Sequence, residues 1–151
     1  MSRLDQVEPD PKVQESPLGR FVFAAQWLVP LVMPMLLFGA RGWLGAPAGW
    51  LTGAGMFLVA PPLFLLLGLP VMVIAADPGP MRRRAVPAAY ARASLVLWVA
   101  LAVLVVTVSD PAVPDSALLT LWSGGAVPAG VVSGLATLAV VGALAAWASA
   151  L

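Results

Sequence analysis

Gln26, Pro30 and Pro34 recur every four residues in the first apolar run of the chain. In a helix that spacing stacks them roughly on one face. Gln26 supplies an amide that both donates and accepts hydrogen bonds. Each proline lacks an N–H and frees the carbonyl four residues earlier, here those of Gln26 and Pro30. A second set lies in "FLVAPPLFLLLGLP", residues 57–70. There Pro61, Pro62 and Pro70 free the carbonyls of Phe57, Leu58 and Leu66. Carbonyls freed in hydrocarbon must be met by protein, water or a ligand. The chemistry on offer is recognition by hydrogen bonding. Gln26, Pro30, Pro34, Phe57, Leu58, Pro61 and Pro62, with Met33 as an adaptable apolar wall, therefore form a candidate cavity. The ordinary alternative is a pair of kinked helices whose freed groups are absorbed by neighbours, with Gln26 bonded to another helix.

Two further groupings stand out. "GVVSG", Gly130–Gly134, is a GxxxG pattern, and Gly142 follows two turns later. Small residues let helix backbones approach closely, so Gly130, Gly134 and Gly142 are candidates for helix association. They pack either against another subunit or against the chain's own helices. Arg82, Arg83, Arg84 and Arg92 cluster in "MRRRAVPAAYAR". They set topology first and are candidates for binding anionic lipid headgroups.

Much other chemistry is excluded by what is missing. The chain has no cysteine and no histidine, so thiolate, imidazole and Cys/His metal chemistry are out of reach. No Asp, Glu, Lys or His lies inside an apolar run. Ion-coupled carriers and proton relays usually place ionisable groups there. Ser94, Thr107, Ser133 and Thr137 have no base in sight to activate them. The expectation is no catalytic, cofactor-binding or metal residue, no cofactor, and no enzyme.

The elements that must carry these residues follow from composition. Of 151 residues, 61% are apolar and 10% charged, far below the quarter or so of charged residues in a soluble domain. The predicted class is an all-α integral membrane protein with four transmembrane helices, at about 20–40, 48–76, 87–109 and 127–151. A bilayer core needs roughly 20 apolar helical residues, which each run supplies. The second run cannot be two spans, because residues 63–76 would reach only about 21 Å. Pro30 and Pro61–Pro62 both fall near mid-membrane, so spans one and two are expected to kink there. Asp115 or Ser116 is placed to cap a short interfacial helix at 116–122.

Residues 1–16 read as a cytoplasmic tail and 17–151 as one transmembrane domain. Four acids and two bases in the tail do not resemble a cleaved signal peptide. Bases gather in the tail and the 77–92 loop, which places both termini inside. The excess of Ala, Gly, Val and Leu, with seven arginines to one lysine, is that of a GC-rich bacterial genome, and the expected location is the plasma (inner) membrane. A net charge of +1 offers no nucleic-acid face. The leading functional expectation is action by association, as an accessory or structural subunit of a membrane complex or as a homo-oligomer, with the lipid bilayer and other membrane subunits or itself as partners. The alternatives are a small transporter or channel with a midplane cavity between spans one and two, and a binder of lipid or isoprenoid.

Overall fold

The computed structural model describes residues 16–47, 49–113 and 115–151, and every regular element among them is helical. The expected tail therefore lies, Ser16 apart, outside the described residues. Helix α1 (Pro17–Ala25) starts on a local signal. Ser16 Oγ accepts the Gly19 N–H at 3.0 Å, and Pro17 sits at the first position, where its missing N–H costs nothing. α1 ends at Gln26, three residues turn, and α2 (Val29–Pro34) resumes with Pro30 in its first turn. The two pieces diverge by 57°. Pro30 thus restarts a broken helix. α2 passes into a π turn, Met35–Gly39, closed by the Ala40 N–H on Met35 O at 2.8 Å.

The second apolar run is continuous over 27 residues, Trp50–Ala76. It comprises α3 (Trp50–Ala54), a π turn (Gly55–Val59) and α4 (Ala60–Ala76). The π turn answers the problem set by the adjacent prolines. Ala60, the last residue before them with an amide, reaches back five residues to Gly55 O. The extra residue in the loop lets the helix re-register, so Pro61 and Pro62 fall in the first turn of α4, where no intrahelical donor is required. The two π turns lie against each other, and the Phe38 ring packs on Gly55. A Cβ at residue 55 would come within 2.7 Å of Phe38 Cδ1.

A short α5 (Pro78–Arg83) leads to α6 (Ala88–Thr107). After it come α7 (Leu118–Trp122) and α8 (Ala129–Ala150). The caps expected at Asp115 or Ser116 for the short helix are not used. Ala117 occupies the N-cap of α7, because Ser116 Oγ is taken by the Asp110 N–H at 2.6 Å. α6 is the hub. Its closest neighbour is α8, and small residues make the approach possible: Ala100 on α6, and Ala139, Ala143 and Ala146 on α8, are buried together with Leu97, Leu101 and Leu104. At the other end α1 joins through Val22, Tyr90, Ala91 and Ala150, tied by the Val86 N–H on Gly19 O at 3.2 Å.

Three helices are long and apolar enough to cross a membrane, or four if α1 and the bent continuation of α2 form one span. Of the most apolar stretches, 44% of residues are buried in α6, 28% in Trp50–Ala76 and 17% in α8. Large apolar side chains such as Phe57, Leu138 and Met72 face outward. An apolar exterior around a packed hub is compatible with a multi-pass membrane protein.

Candidate functional site

The most elaborate polar structure lies at one end of the bundle, where the loop after the first π turn meets the loop between α6 and α7. Arg41, a lone base in an apolar stretch of sequence, is 2% exposed. Its guanidinium forks onto two carbonyls, Nη1 donating to Val108 O at 2.6 Å and Nη2 to Ser116 O at 3.1 Å. Val108 is the C-cap of α6, so the charge sits at the end of the helix where carbonyls lack donors and the dipole is negative. Asp110 does the reverse. Its Oδ2 accepts the Leu51 N–H at 2.6 Å, which caps the start of α3 from 59 residues away. The local N-cap is Gly49, which has no side chain to offer. A Cβ there would collide with the Asp110 carboxylate. Asp110 Oδ1 accepts the Ala112 N–H at 2.9 Å, and Trp122 Nε1, at the end of α7, donates to Leu44 O at 3.0 Å.

The electrostatics follow this wiring. Burial pushes the Arg41 pKa below its ordinary value, and the charge of Asp110 opposes that shift. Burial pushes the Asp110 carboxyl upward, but amides of Ala112, Leu51 and Trp50 and the charge of Arg41 outweigh it and hold the group below its ordinary value. Opposite charges at opposite helix ends make a clasp that fixes the two loops to each other.

The residues of the candidate cavity are divided by the fold. Pro30, Pro34 and Pro61 share an apolar groove of about 220 Å³ with Met35, Met56 and Phe64. Gln26, Met33, Phe57, Leu58 and Pro62 do not line it. Phe57 and Leu58 point outward, 80% and 67% exposed, and Met33 packs against the α6–α8 core. Gln26 is buried beside α6, where Tyr90 Oη donates to its Oε1 at 3.0 Å. Its Nε2 is buried with no partner among the described residues. Pro70 frees the carbonyl of Leu66, and the indole Nε1 of Trp147 takes that carbonyl at 2.8 Å. A side chain of α8 thus supplies the bond that proline removes from α4.

Among the described residues the glycines of α8 do not closely approach a neighbouring helix. Nothing lies within 4 Å of a Cβ built at Gly130, Gly134 or Gly142. Taking about 100° per residue, Gly130 and Gly134 sit roughly 160° and 200° around the axis from buried Val132, opposite the packed face. Gly142 falls on a flank and is half-buried. At the far end from the clasp, Arg82, Arg83, Arg84 and Arg92 are all exposed. Tyr90, two residues before Arg92, turns inward to Gln26.

Among the described residues no three or more His, Cys, Asp or Glu side chains converge as metal ligands. The arrangement can hold helices and loops in register and can present apolar and small-residue surfaces outward. Sequence reasoning found the prolines and glycines but missed Arg41 and Asp110. The available signal was a helix starting at Trp50 behind a glycine, whose amides had to be satisfied from elsewhere. Family models, curated proteins and solved structures were all compared with the chain, and none matches it.

Proposed function

We propose that this is a small multi-pass protein of a bacterial plasma membrane, with both termini and the arginine loop on the cytoplasmic side, that works by association with itself or with other membrane subunits. One observation carries the reading. Among the described residues, the face of α8 with Gly130 and Gly134 meets nothing within 4 Å of a built Cβ, in the helix with the least buried apolar stretch. A glycine inside a helix costs about 1 kcal/mol relative to alanine. On a lipid-facing surface it returns no packing, whereas against another helix it permits close backbone approach.

Native mass spectrometry of the full chain from mild detergent tests the proposal. Oligomers or a co-purifying membrane subunit are expected, and Gly130→Ile with Gly134→Ile should disperse them while the monomer still unfolds cooperatively on heating. A monomer in every detergent and lipid tried would sink it. A second reading draws on the groove at Pro30, Pro34 and Pro61. Its apolar lining and opening to the exterior suit an acyl or isoprenyl chain better than a polar solute. Lipid retained by the wild type and lost on Pro34→Phe would favour that reading.

A further inference from the structure

At the clasp end a second cavity, of about 450 Å³, opens between the end of α6, the loop after it, α7 and the first two turns of α8. Its polar lining is Thr107, Ser109, Asp115, Thr120, Ser133 and Thr137; the remainder is apolar. The protons of three of these hydroxyls are already committed. Thr107 Oγ1 donates to Val103 O at 2.8 Å, Ser133 Oγ to Gly130 O at 3.1 Å, and Thr137 Oγ1 to Ser133 O at 2.9 Å. What these groups have left to offer is lone pairs. Asp115 adds a carboxylate; the negative end of the α6 dipole is already met by Arg41 at Val108 O, so the charge offered to a cation is that of Asp115. Among the described residues no lysine or arginine lines the cavity, and the guanidinium of nearby Arg41 is turned to Val108 O and Ser116 O.

A pocket that is mostly apolar, carries a carboxylate and hydroxyl acceptors, and has no cationic side chain among the described residues that line it suits a compact cation with several N–H donors on a short hydrocarbon stem. We propose that this cavity binds a primary ammonium group, of the kind carried by an ethanolamine lipid headgroup or a free primary amine. A primary ammonium has three donors to share among the hydroxyls and the carboxylate. A quaternary ammonium has none, and a glycerol headgroup brings no cation. The cavity stands at the level where α6 ends and α8 begins, the height of headgroups if these helices cross a bilayer. Through Ser133 and Thr137 the cavity borders the glycine face of α8, but its test reads bound amine and does not depend on association.

The test uses the full chain in mild detergent with an equimolar mixture of phosphatidylethanolamine, phosphatidylcholine and phosphatidylglycerol, reading retained lipid by native mass spectrometry. A second arm titrates the delipidated protein with ethanolamine by calorimetry. Retention of phosphatidylethanolamine about fivefold above the other two is expected, the size of a single modest hydrogen-bond preference. Asp115→Asn and Thr137→Val should each bring retention toward parity. Asn suits position 115 because the backbone there is left-handed, with φ of 59°. Ethanolamine binding that is lost in Asp115→Asn, without lipid preference, would assign the site to free amines. Equal retention of the three lipids with no ethanolamine binding, or a preference unchanged in both variants, overturns the proposal.

Discussion

Replacing Arg41 by methionine isolates the energetics of the clasp. The side chain makes two charge-assisted bonds, at 2.6 and 3.1 Å, to carbonyls that no other described group satisfies. A hydrogen bond to a charged group contributes about 1.5–3 kcal/mol net, so the pair is worth about 3–6 kcal/mol. Methionine fills much of the space of the arginine stem, so little apolar packing is lost and a value of about 3 kcal/mol is expected. For a chain of this size that corresponds to a fall of about 6–12 °C in the midpoint. Thermal unfolding in mild detergent, followed by the fluorescence of the six tryptophans, reads it directly. Arg41→Lys, which can keep one of the two bonds, should lose about half as much. A midpoint for Arg41→Met within about 1 °C of wild type would mean that the site behaves like ordinary surface and that the clasp holds nothing together.

Asp110 gives the pH dependence. Its folded pKa lies below the ordinary 3.8, so its contribution is fully present above that value and is lost as pH falls through the lower folded pKa. The midpoint gap between wild type and Asp110→Asn should therefore stay constant from about pH 7 to about pH 5 and close only in stronger acid; a gap that closes near neutrality refutes the assignment. Trp147→Phe should cost about 1–2 kcal/mol by stranding Leu66 O. Pro70→Ala, which restores the helical amide, should recover most of that loss in a double-mutant cycle. Gly55→Ala should cost about 1–3 kcal/mol through the clash with Phe38, and Phe38→Leu should relieve it. By contrast, Gly134→Ala has nothing to meet within 4 Å among the described residues and should raise the monomer's stability by up to about 1 kcal/mol, the gain in helix propensity.

The helical runs were legible because their signals are local. Long apolar stretches bounded by charge or turn residues place Trp50–Ala76, α6 and α8, and Ser16–Pro17 places the start of α1. The effect of the prolines was only half legible. The freed carbonyl of Leu66 follows from Pro70 alone, but its partner Trp147 lies 81 residues away. Pro61 and Pro62 announce a disturbance, yet the π turn that absorbs it depends on Gly55 having room beneath Phe38. The predicted cavity dispersed for a similar reason. A spacing of four puts Gln26, Pro30 and Pro34 on one face only if the helix is unbroken, and the turn at residues 26–28 separates Gln26 from the two prolines.

Composition and periodicity by themselves determined an all-helical chain, the location of its apolar runs and the absence of cysteine and histidine chemistry. These are sums over neighbouring residues, and no partner is needed to evaluate them. Tertiary structure alone decided that Arg41 is a buried cap for α6, that Asp110 caps α3, that Tyr90 turns inward to Gln26 and that the glycines of α8 face outward. Each of these depends on which helix end or surface arrives beside a residue from far along the chain. A lone arginine in a loop reads as solvent-exposed until two helix ends converge on it and leave carbonyls that only its charge can satisfy.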